Sequence, residues 1–226
     1  QNSNLATDIA FVWAGTIEAP KDSGLLFGTK DETNPMQLTS ITFNNFNTSK
    51  VTNMSLMFQL CTDLISLNLS SFNTSIVTTM KGMFSYCIAL TTLDLSKFDT
   101  KNVKYMEDMF TSCCELTSLD LSNFNTGNVT SMSSMFSNCS ALTTLDISNF
   151  NTCNVTNMEK MFEGCSALTT LDVFSFNTSN VTNMSTMFSY CSALTSLKLT
   201  NFNTSNVTNM EKMFEGCSAL ATLNLS

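Results

Sequence analysis

The chain has 226 residues, 12% of them charged, with a net charge of −8 and no histidine. That balance excludes unsteered attraction to nucleic acid or to anionic lipid, and it removes the usual general base and the commonest metal ligand. No apolar run approaches the roughly 18 residues of a membrane-crossing helix, so no membrane insertion is expected of this segment.

In chain order, residues 1–37 stand apart. They hold both prolines, Pro20 and Pro35, and the only tryptophan, Trp13. Ile9 to Ile17 reads as one strand and Leu25 to Phe27 as another. A segment this short rarely holds a core alone, so it is expected to be a β-structured cap over the first exposed sheet edge of residues 38–226.

Residues 38–226 repeat themselves. Met-Phe recurs at Met57-Phe58, Met83-Phe84, Met109-Phe110 and onward to Met213-Phe214, always 26 residues apart. Cys61, Cys87, Cys113, Cys139, Cys165, Cys191 and Cys217 keep the same step, as do Leu67 to Leu223 and Phe46 to Phe202. Within one unit, Leu145-Asp146-Ile147-Ser148 alternates with period two and reads as a short half-buried strand. Asn151-Thr152-Cys153-Asn154 is turn chemistry. Thr156 followed by Glu159, repeated at Thr208 and Glu211, reads as a capping box. Met158, Phe162 and Cys165 then fall within a narrow arc at 3.6 residues per turn, which predicts a short helix.

Strand, turn and helix repeated at period 26 predict an α/β fold: a leucine-rich-repeat solenoid, whose unit length is typically about 20–29 residues. Paired parallel strands lie about 4.8 Å apart and packed helices about 8–10 Å apart. The mismatch would bend the stack, with a parallel sheet on the concave face and short helices on the convex face. One unit buries about seven apolar side chains, worth roughly 1.5–3 kcal/mol each, against about 1–2 kcal/mol of backbone entropy for each residue ordered. A lone unit should not fold, so stability must come from its neighbours. The sequence begins at Gln1 and stops inside a unit at Ser226 without a cap. It reads as a solenoid truncated at the C-terminus, in which the missing signal peptide carries no weight.

Units such as Leu119 to Cys139, Leu-Asp-Leu-Ser-Asn-Phe-Asn-Thr-Gly-Asn-Val-Thr-Ser-Met-Ser-Ser-Met-Phe-Ser-Asn-Cys, resemble the 26-residue repeat of bacterial surface proteins, the BspA-like leucine-rich group. The resemblance covers about residues 38–226. It implies a secreted or cell-wall-linked protein that adheres to a host or neighbouring-cell surface protein or glycan.

Several residue sets invite chemistry. The seven registered cysteines sit on the face expected to be buried, where free Cys packs as a small hydrophobe; a thiol ladder is expected rather than a metal or disulfide framework. Cys114 and Cys153 fall outside it, Cys153 in a turn where it could react. Asn47, Asn73, Asn125, Asn151, Asn177 and Asn203, with Asp99 substituting, are expected to satisfy turn backbone groups in their own and the next coil.

The outward strand positions are the candidate binding face. Asp94, Asp120, Asp146 and Asp172 form a row in which neighbours would repel by roughly 1 kcal/mol even in water. A cation, a basic partner or plain counter-ions could offset that. Stacked carboxylates lack the mixed, converging oxygen ligands of a calcium site, so no metal is expected. Phe174 replaces a serine or threonine, and Lys198 interrupts the acidic row one coil later. Asp172, Phe174 and Lys198 are expected to be neighbours, with Phe174 as an anchor for a partner.

The expected function is a binding or adhesion module. The alternative is a structural spacer or stalk, suggested by the matching units Asn154–Leu168 and Asn206–Leu220. No cofactor or catalysis is expected: an acidic pair could reach the spacing of a retaining glycosidase, but an open sheet offers no pocket to raise one carboxyl's pKa.

Overall fold

The structure, a computed structural model, describes residues 7–11 and 16–225. Trp13 and part of the strand expected over Ile9 to Ile17 lie outside them. The strands are β1 (Thr7–Phe11), β2 (Ile17–Glu18), β3 (Leu38–Phe43), β4 (Phe46–Asn47), β5 (Ser66–Leu67), β6 (Thr92–Leu93), β7 (Ser196–Lys198) and β8 (Thr222–Asn224). They pair in parallel as β1–β3, β2–β4, β5–β6 and β7–β8. The last two pairs keep the repeat register, Leu67 beside Leu93 and Leu197 beside Leu223. Between β6 and β7 the same path keeps its alternation, with Thr144 and Asp146 exposed and Leu145 and Ile147 buried. Along that path the backbones share isolated bonds such as Thr143 N–H to the Thr117 carbonyl, 3.3 Å. The parallel sheet is therefore a series of two-stranded patches rather than a continuous wall.

The expected helices are absent among the described residues. The reason lies in where the amide N–H groups go. In the coil containing Met158, alternate residues donate to the following coil: Met158 to Asn183 at 2.9 Å, Lys160 to Ser185 at 3.0 Å, Phe162 to Met187 at 2.9 Å and Gly164 to Ser189 at 2.8 Å. The intervening Met161, Glu163 and Cys165 donate back three residues, at 3.1–3.2 Å. Every donor is satisfied without the i−4 bond that defines an α-helix. Each coil also carries two left-handed residues four apart, such as Ser134 (φ 54°) with Asn138 (58°) and Lys160 (58°) with Gly164 (70°), and left-handed residues cannot propagate a right-handed helix. The Thr/Glu pair is not a capping box either. Thr156 directs both N–H (2.9 Å) and Oγ1 (3.2 Å) to the Thr130 carbonyl one coil back, while Glu159 N–H donates to Asn157 Oδ1 at 2.9 Å.

The most continuous ladder thus runs along the turn segments. It links Asp22, Asn53, Thr79, Tyr105, Ser131, Asn157, Asn183 and Asn209 as successive parallel bridges. With no helical layer demanding wide spacing, the ground for placing the strands on a concave inner face is gone, and their exposed surface is simply the strand face.

The apolar spacing read as a helical arc does mark the core. Met158, Met161, Phe162 and Cys165 are fully buried, as are their equivalents from Met54 to Cys191. Phe58, Phe84, Phe110, Phe136, Phe162, Phe188 and Phe214 form one stack, centroids 5.7–5.8 Å apart and planes within 9°. At the N-terminal end, residues 22–29 run as a half-coil, not as the strand expected at Leu25 to Phe27. Phe27 stacks on Phe58 at 5.5 Å. Gly28 lies so close to the first full coil that a Cβ would sit 2.5 Å from the Leu56 carbonyl oxygen.

Candidate functional site

The coils are joined at their corners by polar ladders. The Asn row caps turns within its own coil: Asn151 Oδ1 accepts the Cys153 N–H at 3.1 Å, and Asp99 does the same for Lys101 at 3.2 Å, while Asn47 alone also donates to Glu18 Oε1 at 2.9 Å among the described residues. Bonds to the next coil come from a residue set that the sequence reading missed. Thr48, Thr74, Thr100, Thr126, Thr152 and Thr178 are all buried. Each hydroxyl donates to a carbonyl of the following coil and accepts the N–H of that same residue; Thr152 Oγ1 lies 2.9 Å from the Asn177 carbonyl and 2.8 Å from its nitrogen. The signal was present in the sequence, because Thr fills this position in every unit while neighbouring polar positions vary.

The cysteine ladder lies in the core as thiols, buried from Cys61 to Cys191 and half-buried at Cys217. Each sulfur donates to a phenylalanine carbonyl one coil back, from Cys61 to Phe27 at 3.3 Å through Cys139 to Phe110 at 3.1 Å to Cys217 to Phe188 at 3.0 Å. Burial pushes the Cys61, Cys139 and Cys191 thiols up to about 12 and moves Cys87, Cys113 and Cys165 well above the ordinary range. Since the thiolate is the reactive form, native protein treated with an aromatic disulfide reagent at pH 8 should release colour quickly from the partly exposed Cys114 and Cys153, and more slowly from the half-buried Cys217, whose thiol burial pushes up. The buried ladder should react only after unfolding in guanidinium. Fast titration of five or more thiols in the native state would contradict this burial.

On the strand face, Asp94, Asp120, Asp146 and Asp172 are exposed and follow one another coil by coil. Each carboxylate accepts the N–H two residues on: Ser96 at 2.9 Å, Ser122 at 2.9 Å, Ser148 at 3.0 Å and Phe174 at 2.8 Å. This supplies an offset to the mutual repulsion from within each coil. Those backbone bonds, helped by the serine hydroxyls, hold the Asp94, Asp120 and Asp146 carboxyls below their ordinary value of 3.8. The neighbouring carboxylates Asp146 and Asp94 push Asp120 the other way, more weakly. With folded values depressed, their contribution to stability is present above that value and fades as pH falls through the folded one. No ion pair among the described residues includes any of the four.

Phe174 is 61% exposed. Lys198 Nζ sits 5.4 Å from its ring centroid, a cation–π distance, and the Asp172 carboxylate holds its N–H. The three residues are neighbours, as their spacing predicted. Asn201 Nδ2 bonds the Phe174 and Phe176 carbonyls and fixes the backbone beneath the ring. The surrounding surface is a shallow, open trough, lined by Thr170, Asp172, Ser196 and Lys198 at this end and by Ser118, Asp120, Thr144 and Asp146 further along. Tyr86, Tyr105 and Tyr190 are also exposed.

Among curated proteins none matches this chain. Two solved structures are similar. A leucine-rich cell surface protein from Faecalibacterium prausnitzii is 23% identical, with a TM-score of 0.38, over 82% of this chain and 38% of that one. A leucine-rich repeat protein from Bacteroides ovatus is 18% identical, with a TM-score of 0.29, over 92% of this chain and 68% of that one. This chain thus spans well under half of the Faecalibacterium protein. A family model described as "Mycoplasma protein of unknown function, DUF285" matches residues 27–143 and again 112–225. With almost the whole repeat region covered by that model, the chain belongs to this family.

Proposed function

We propose that this chain is a bacterial cell-surface or secreted module that binds a host or neighbouring-cell surface protein or glycan through its strand face and catalyses no reaction. The observation that carries the reading is Phe174: a large apolar ring, 61% exposed, set among hydroxyls and carboxylates on a backbone that Asp172 and Asn201 hold. Exposed aromatics on a pre-organised surface are the side chains that most often anchor a partner. The resemblance of the repeat to BspA-like surface proteins supports the location. The acidic row argues against glycoside hydrolysis, because a general acid needs a raised pKa and the Asp94, Asp120 and Asp146 carboxyls are shifted down.

Binding to an immobilised panel of purified host matrix proteins and surface glycans tests this. For any ligand found, Phe174→Ser should weaken affinity about tenfold or more and leave the thermal midpoint unchanged, since the ring is mostly exposed. Equal affinity of the variant would remove the site from the strand face. The second reading, a spacer or stalk displaying another domain, is favoured by the identical stretches 154–168 and 206–220, because specific binding surfaces diversify. It predicts no binding to the panel by this chain.

A further inference from the structure

We propose that the strand face takes an extended basic segment of another protein, which lays alternate arginines or lysines along the aspartate row and an apolar residue against Phe174. This rests on the strand-face reading and narrows it to one kind of partner. The trough on that face is continuous along the coils. Ser118 and Asp120 line both its first and its middle stretch, and Thr170 and Asp172 line both its middle and its last. Its floor is formed by Leu119, Leu145 and Leu171, which are buried.

Two independent features point to a cationic partner. The first is the ring. Phe174 already attracts a cation, since Lys198 Nζ lies 5.4 Å from its centroid, yet most of the residue remains exposed. The second is the charge on the row. Lysines reach it only at its two ends: Lys97 acts on Asp94, and Lys198 follows Asp172 one coil later. At the centre, Asp120 and Asp146 answer to Ser122, Ser148 and neighbouring carboxylates and to no lysine. Each aspartate gives one oxygen to a backbone N–H, and an ionised carboxylate has further lone pairs to offer. The net charge of −8 steers a basic partner inward and speeds encounter.

The spacing defines the partner further. Carboxylates from Asp94 to Asp172, one coil apart at about 4.8 Å per step, span roughly 14 Å. An extended segment rises about 3.3 Å per residue and turns alternate side chains to one side, so cations at its first, third and fifth residues span roughly 13 Å. Such cations settle between the carboxylates and screen each neighbouring pair. Beyond Asp172 the Lys198 ammonium repels a further cation. The basic run therefore ends there, and the residue that follows it meets the Phe174 ring. Nucleic acids and anionic glycans carry the wrong sign for this row, and a neutral glycan leaves its charge unpaired.

Fluorescence anisotropy with the capped peptide Arg-Ser-Arg-Ser-Arg-Ser-Trp tests this, read at about 0.01 M and about 0.15 M salt, where the Debye length is about 30 Å and about 8 Å. The peptide should saturate the chain at the lower salt and bind about tenfold more weakly at the higher. Asp120→Asn combined with Asp146→Asn should weaken binding roughly tenfold at low salt. That variant keeps its turns, because Asn68 already holds the Ser70 N–H at this position, at 3.0 Å. Phe174→Ser should weaken binding about tenfold as well. A peptide of the same composition with its arginines adjacent should bind more weakly, since only alternate side chains face one way. No binding up to roughly 1 mM protein, parental affinity in the doubly substituted chain, or equal affinity for adjacent arginines overturns the proposal. So does a ligand from the panel whose binding needs Phe174 but ignores salt and both aspartates, as a neutral glycan would; that outcome leaves the strand-face reading standing. Peptide affinity unchanged by Phe174→Ser overturns the proposal and removes the anchor of the strand-face reading with it.

Discussion

Phe136→Ala is expected to destabilise the chain by about 3–5 kcal/mol, the usual cost of removing a buried aromatic ring. Phe136 is fully buried in mid-stack, with Phe110 at 5.7 Å on one side and Phe162 at 5.8 Å on the other. Its loss opens a cavity that neither neighbour can fill, because both rings are held by their own coils. A stack of repeats gains its stability from nearest-neighbour interfaces, and this substitution weakens two at once. The same change at Phe214, which among the described residues stacks on Phe188 alone, should cost clearly less in this chain. Urea denaturation followed by circular dichroism reads both variants. Equal losses at the two positions would show that the ring stack does not couple neighbouring coils.

Thr152→Val should cost about 2–4 kcal/mol despite preserving shape. The hydroxyl holds both the N–H and the carbonyl of Asn177 at 2.8 and 2.9 Å. Removing it leaves two groups unsatisfied, each worth about 1–3 kcal/mol when shielded from water. Thr152→Ser keeps the hydroxyl and should lose about 1 kcal/mol for the methyl group. The denaturant midpoint should fall for the valine variant with the slope unchanged. A valine variant within about 0.5 kcal/mol of the parent would mean that these corner bonds are dispensable.

Much of the core is readable in the sequence because burial and period are local facts. Met158, Phe162 and Cys165 are buried where their spacing puts them, and the strand positions alternate as their residues do. The helix fails for a physical reason: a spacing of four and three residues also suits a chain that folds back through paired left-handed turns, so the same side chains point inward either way. The threonine ladder escapes notice because threonine in a polar turn reads as solvent-facing until a following coil covers it. The neighbourhood of Asp172, Phe174 and Lys198 is legible, since equivalent positions one period apart must be adjacent in any registered stack. The offset to the acidic row is not, because it comes from backbone N–H groups whose direction depends on how the turn closes.

By itself the sequence determined the 26-residue period, the registered stacking of coils, the identity of the core and the row of residues facing outward. Each arises from apolar side chains recurring at a fixed interval, which only neighbouring units can cover. The tertiary structure decided how each coil spends its amide groups. Once a following coil offers carbonyls at every second residue, cross-coil bonds satisfy the backbone that an isolated segment could satisfy only by helix formation.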